Sequence, residues 1–156
     1  MATANPIPAG YHTVTPYITA PDARALMAFL KDAFGAELGE CHTRPDGKVM
    51  HAEVRIGDSQ IMISDACEQS GGKGKPAGIY LYVPEVDKTY KRALEAGATS
   101  MMEPADMFWG DRFSSVKDKW DNEWHISTHI EDVTLEELDR RAAAFAEQMA
   151  KQGAQG

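Results

Sequence analysis

Residues 14–43 read VTPYITAPDARALMAFLKDAFGAELGECHT, and how this stretch is read decides the fold. Val14 to Thr19 alternates apolar and polar side chains, the mark of a half-buried strand. Asp22 to Phe34 changes period: Leu26, Phe29, Leu30 and Ala33 fall at i, i+3, i+4 and i+7 and make one apolar helix face. Asp22 is an N-cap, its carboxylate placed to accept a free amide of the first turn, and Gly35 stops the helix where a left-handed residue is wanted. Glu37 to Thr43 then begins a further strand.

The same grammar returns at residues 78–100, GIYLYVPEVDKTYKRALEAGATS. Ile79 to Val83 reads as a strand. Glu85 to Ala96 reads as a helix with Val86, Tyr90, Ala93 and Leu94 on one face, closed by Gly97. The helix exits Phe34-Gly35-Ala36 and Ala96-Gly97-Ala98 lie 62 residues apart. One such repeat points to a duplicated half-domain rather than to a solenoid.

Outward from these two units, the remaining strands follow from turn chemistry. In the first half they are Val49 to Ile56 and Gln60 to Asp65, reached through Pro45-Asp46-Gly47 and Gly57-Asp58-Ser59. The second half offers Thr99 to Glu103, Arg112 to Lys117 and Glu123 to Thr128. The expected architecture is α+β in a single domain. Two βαβββ modules, about 12–67 and 77–130, make an eight-stranded curved sheet, or cup, with helices outside. A Gly- and Lys-rich linker spans 68–76. A C-terminal helix covers 134–152, opened by a capping box from Thr134 to Glu137.

Strand alternation assigns side chains to faces. Val14 and Ile18, Ile61 and Ile63, Ile79 with Leu81 and Val83, and Trp124 with Ile126 should pack under the helices. The opposite faces carry Thr15, Tyr17 and Thr19; Gln60, Met62 and Ser64; Gly78, Tyr80 and Tyr82; Glu123, His125 and Ser127. Such a mixed polar and aromatic set is either a solvated sheet face or the wall of a ligand pocket.

The chain has 156 residues and a formal net charge of −8, with 24 acidic against 16 basic side chains. No basic stripe is present to meet phosphates, so nucleic acid is not an expected partner. No apolar run is long enough to span a bilayer, and residues 1–10 show no leader pattern, so the expectation is a cytoplasmic protein with no membrane partner. Cys41 and Cys67 read as ordinary thiols.

Several short runs, in their order and spacing, resemble the glyoxalase/bleomycin-resistance (vicinal oxygen chelate) superfamily, and more closely its PhnB-like branch. They are Pro16-Tyr17-Ile18, Phe34-Gly35-Ala36, the stretch from His51 to Ser59, Ile61 to Asp65, Phe108 to Phe113, and Asp118 followed by Trp124. The resemblance runs to about Glu131. It implies the cup, a homodimer, and, in the enzymes, a divalent metal held by His, Glu or Gln from the first and last strand of each half. Those four places fall on Thr15, Met62, Gly78 and His125. Thr is a poor ligand, Met prefers soft metals, and Gly has no side chain. A single imidazole falls short of the three protein ligands of a catalytic divalent site. The expectation is therefore no metal and no cofactor. Near the last turn the branch commonly has a Gly-His pair, and Asp121-Asn122 stands here.

The expected ligand-binding residues are Thr15, Tyr17, Met62, Ser64, Tyr80, Tyr82, Trp109, Arg112, Glu123 and His125. His51, Glu53 and His125 are the candidates for acid/base work. His51 and Glu53 share a face at i and i+2, as an inward pair or as a hydrogen-bonded pair on an exposed strand. Trp109 and Arg112 would form a lip, Trp109 stacking and Arg112 favouring a carboxylate or phosphate on the ligand. His12, His42 and His129 read as surface histidines. The leading expectation is a metal-free small-molecule-binding protein, with an organic and, as an option, anionic ligand in an aromatic cup. A metal-dependent lyase, isomerase or dioxygenase of the same superfamily and a non-catalytic dimeric scaffold with a filled cup are the alternatives.

Overall fold

A computed structural model describes residues 4–154, so the reading of residues 1–10 lies partly outside the described residues. Two βαβββ modules and an appended helix follow in order. The first module is β1 (Tyr17–Ala20), α1 (Ala23–Phe34), β2 (Glu37–Thr43), β3 (Val49–Ile56) and β4 (Ser59–Asp65). The second is β5 (Gly78–Tyr82), α2 (Val86–Glu95), β6 (Thr99–Asp106), β7 (Asp111–Lys117) and β8 (Glu123–His129). The helix α3 (Leu135–Gly153) follows the second module. None of the described helices is long and apolar enough to cross a membrane.

The duplication extends to topology. Strand order is β1-β4-β3-β2 in one sheet and β5-β8-β7-β6 in the other, with β1 parallel to β4 and β5 parallel to β8. The eight expected strands thus form two hydrogen-bonded four-stranded sheets within one chain. The caps explain the helix limits: Asp22 accepts from the Ala25 amide at 3.0 Å, and Gly35 adopts φ 66°. Asp65 replicates this bracing at longer range, accepting from the amides of Ala23 and Val49 at 2.7 and 2.6 Å.

The modules meet through their helices. α1 packs on α2, the Phe34 and Trp124 rings lie 5.2 Å apart, and Arg92 donates to the Asp32 carbonyl at 2.9 Å. Ile18, Leu26, Leu30, Ile63, Val116, Trp124 and Ile126 are all buried in one continuous core. Each sheet therefore turns its helix-bearing face toward the other module and its second face outward. A buried Asp118 holds the β7–β8 turn, accepting from the Trp120 and Asn122 amides, Asn122 Nδ2 and Trp124 Nε1 at 2.9–3.0 Å. Asn122 Oδ1 in turn accepts from the Ala77 amide. Asn122 thus has a structural task here, and Asp121 makes the turn at φ 67°.

Three local expectations change. The first strand begins at Tyr17, and Val14 stands exposed rather than under the helix, because β1 is held to β4 only from the Pro16 carbonyl onward. The linker is partly ordered: it makes a 3-10 turn over Glu68–Ser70, and Lys75 then bridges to Thr19, covering part of the β1 edge. In α3, Thr134 Oγ1 accepts from the Glu137 amide, but the Glu137 carboxylate does not return to the cap. It binds Arg140 and Arg141 instead. No side chain of α3 is fully buried.

Candidate functional site

The outward face of the second sheet is built from alternate residues of three strands. Tyr80 of β5 stands beside His125 of β8 and Ser115 of β7. In the next row Tyr82, Ser127 and Phe113 align, and beyond it His129 faces Asp111. The rings assemble into a patch. Tyr80 and Tyr82 have centroids 5.2 Å apart, Tyr80 and Phe113 5.8 Å, and Trp109 and Phe113 5.9 Å. Phe113 stacks on His125 at 5.8 Å and 18°. Tyr80 and Tyr82 remain 43% and 67% exposed, far more than structural aromatics of a core.

Beneath these rings lies Asp111, 2% exposed. Its Oδ2 accepts hydrogen bonds from the Tyr80 and Tyr82 hydroxyls and from Trp109 Nε1, each at 3.1 Å. Its Oδ1 lies 2.8 Å from His129 Nδ1, while His129 Nε2 lies 2.8 Å from Asp132. Burial works against the Asp111 charge, but the hydrogen bonds from His129, Tyr80, Tyr82 and Trp109 outweigh it and hold the carboxyl below its usual range. The carboxylates of Asp132 and Asp111 raise His129, and burial with the Asp111 hydrogen bond raises Tyr82. Ser127 Oγ, fully buried, lies 2.7 Å from the Tyr80 hydroxyl.

The turn that presents Trp109 is fixed from behind. Gly110 has φ 99°, and any side chain there would run into the Glu131 carbonyl. The Gly110 carbonyl accepts from the amides of Ile130 and Glu131. Phe108 packs between Trp109 and Phe145 of α3, and Arg141 reaches the Phe108 carbonyl and Glu131.

The outward face of the first sheet carries a second set. Tyr17, Met62 and Glu53 stand in one row, and Ser64 pairs with Thr19 in the next. His51 Nε2 lies 3.5 Å from Glu53 Oε1, and its ring centroid 6.2 Å from that of Tyr17. Tyr11 folds over this face; burial and the nearby Glu53 carboxylate push its hydroxyl up to about 12. A cleft of about 750 Å³ separates the two sheet edges, with Thr15 and Gln60 on one side and Tyr80 and Tyr82 on the other.

Of the residues expected from sequence, Tyr80, Tyr82, Trp109 and His125 come together on the second sheet. Glu123 sits at the end of that face, 3.9 Å from both Lys117 and His125. Tyr17, Met62, Ser64, His51 and Glu53 gather on the first sheet, and Thr15 lies just before it, bonded to the His12 carbonyl. Arg112 joins neither group. It shares the helix-bearing side of β7 with Ser114 and Val116 and is held by Asp87 at 2.7 and 2.8 Å and by Asp106 at 2.9 Å. The lip role and the anion preference assigned to Arg112 thus lose their basis: one residue along a strand is the opposite face. His129, read as a surface residue, is half-exposed yet bound to the buried carboxylate. Asp111, Phe113 and Ser127 complete the face. The alternation of β7 was the available signal for Asp111 and Phe113.

The four places that the resemblance implies for a metal are short of donors. Thr15, Met62, Gly78 and His125 supply one imidazole, and His125 Nδ1 is buried without a hydrogen-bond partner. Among the described residues no three His, Cys, Asp or Glu side chains cluster as a metal site.

Comparison with known proteins adds three findings. The family model described as Glyoxalase/Bleomycin resistance protein/Dioxygenase superfamily matches residues 11–126. Uncharacterized protein Mb0911c of Mycobacterium bovis is 36% identical over 135 residues, covering 80% of this chain and 88% of that protein. Among solved structures, TioX from Micromonospora sp. ML1 superposes with a TM-score of 0.61 at 23% identity, covering 77% of this chain and 98% of TioX, a likeness of fold.

Proposed function

Because the chain belongs to the Glyoxalase/Bleomycin resistance protein/Dioxygenase superfamily, we propose that it is a metal-independent small-molecule-binding protein whose ligand lies on the outward aromatic face of β5, β7 and β8. The observation that carries this reading is the pairing of exposed rings with a buried, fully engaged carboxylate. Tyr80 and Tyr82 are oriented by Asp111 yet left open to solvent. Oriented aromatic walls with a few fixed polar groups are what a site for a flat, partly apolar molecule requires. The donor set at Thr15, Met62, Gly78 and His125 supports the metal-free part.

The same packing supports a homodimer. With α1 and α2 back to back, each module's open face lacks a facing wall within the chain, and a second copy can supply one by setting its first module against this second module. His51 and Glu53 would then approach the ligand from the partner's side, as a polar pair rather than as an assigned catalyst.

Native mass spectrometry of protein purified without chelators tests these points together. The expected species is a dimer without a stoichiometric divalent ion, which takes up small aromatic molecules from a screen. One equivalent of zinc, iron, manganese or nickel per chain would replace this reading with that of a metal-dependent enzyme.

A further inference from the structure

The direction in which the hydrogens of this face point sets the charge it will receive. A phenol has one hydrogen, and those of Tyr80 and Tyr82 are both committed to Asp111 Oδ2. The two oxygens then have only lone pairs left to offer, and with the Tyr80 hydrogen on Asp111 the 2.7 Å contact to Ser127 is one in which Ser127 donates. The Trp109 N–H is spent on the same carboxylate oxygen. What remains around the two phenols is a set of acceptors and ring faces, with a carboxylate behind them and the His125 imidazole beside the Tyr80 ring at 6.2 Å.

Ring faces carry negative charge density and attract cations, most strongly when water is excluded. Tyr80 and Tyr82 meet at 48°, and Trp109 stands at 68° to Phe113, so the rings form tilted walls rather than one flat plate. The cations nearest these rings are each paired with carboxylates. Arg112 lies on the other side of the sheet with Asp87 and Asp106, Lys117 stands at the far end of β7 beside Glu123, and His129 is held between Asp111 and Asp132.

Resting on the binding face proposed above, we infer that its ligand is an organic cation: an ammonium or N-alkylated heteroaromatic group seated against Tyr80, Tyr82 and Trp109. The buried Asp111 polarises both phenols without touching the ligand, and with Asp132 it leaves the cluster around His129 net negative.

Three bicyclic probes of similar size test this by calorimetry at pH 8 and about 0.15 M salt, where long-range attraction is screened beyond roughly 8 Å. They are 1-methylquinolinium as cation, quinoline as neutral ring and 2-naphthoate as anion. The cation should bind at least tenfold tighter than 2-naphthoate, with quinoline between them. Tyr82→Ala, its folding checked by melting temperature, should reduce the ratio to about threefold or less, and Arg112→Gln should leave it unchanged. Equal affinities, or tighter naphthoate, overturn the cation inference and leave the binding face standing. A cation preference that survives Tyr82→Ala and Tyr80→Ala arises from the net charge of −8 and overturns it as well. No binding of any probe at millimolar concentration removes the face as a site, and the inference with it.

Discussion

Asp111 and His129 stand opposite one another at the end of the β7–β8 ladder, with His129 Nδ1 2.8 Å from Asp111 Oδ1. Both imidazole nitrogens face a carboxylate, since Nε2 lies equally close to Asp132. Neutral imidazole has one N–H, so the doubly bonded arrangement belongs to the imidazolium. The aromatic face is thereby tied to a titrating group at its rim.

Stability should accordingly fall above neutrality. The folded value of His129 is raised from about 6.5, so its contribution is complete below that pH and is lost as pH climbs through the raised value. Asp111 is lowered from about 3.8, so its contribution is present above that value and is lost as acid approaches the lowered one. We expect the melting temperature to decline on the alkaline side of pH 6.5 and to keep that plateau edge only while His129 is present. His129→Gln should flatten the alkaline decline; an unchanged profile would detach His129 from it.

Asp111→Ala removes the shared acceptor of four donors. Leaving the Tyr80, Tyr82 and Trp109 groups without it should cost about 2–4 kcal/mol, read from urea unfolding. A loss below about 1 kcal/mol would mean that solvent replaces the carboxylate readily.

Two changes at Tyr80 separate ring from hydroxyl. Tyr80→Phe keeps the stacking surface and loses the bonds to Asp111 and Ser127, so stability should drop by about 1–2 kcal/mol with affinity for an aromatic ligand kept within threefold. Tyr80→Ala should also weaken binding more than tenfold, about 1.4 kcal/mol. Equal affinities for both variants would place the ligand away from this ring.

Truncation before Thr134 should leave a folded core, because α3 buries no side chain fully. The lip should loosen, since Phe145 packs on Phe108 and Phe108 on Trp109. The expected result is a melting temperature within a few degrees of the full chain, with greater acrylamide quenching of Trp109 in a Trp120→Phe background. Global unfolding would instead make α3 part of the core.

Light scattering should report twice the 17.1 kDa chain mass at micromolar concentration. A monomer would leave the outward faces unpaired and refute the two-chain site.

Much of this organisation is legible in the sequence because it is local. Asp22 and Gly35 mark α1 through interactions within a few residues, and the turn at Pro45-Asp46-Gly47 separates β2 from β3 by its own chemistry. The site is less legible because its bonds are long in sequence: Asp111 joins Tyr80 and Tyr82 from 31 and 29 positions away. Arg112 shows how proximity misleads. It follows Trp109 by only three residues, yet the first residue of β7 is Asp111, and counting by twos from there sends Arg112 behind the sheet. The separation of the modules was hidden too, because strand patterns specify which side of a sheet is apolar but not whether two apolar sides share one core.

That back-to-back packing divides the labour along each strand. On β8, Trp124 and Ile126 are buried in the core, while His125 between them lies among the rings of the outward face. Neighbouring positions can therefore change under independent selection. If the outward face binds as proposed, a lineage carrying this chain could exchange Tyr82 or His125 and change its ligand at little cost to the packing around Trp124, which makes the fold a durable frame for a changeable taste.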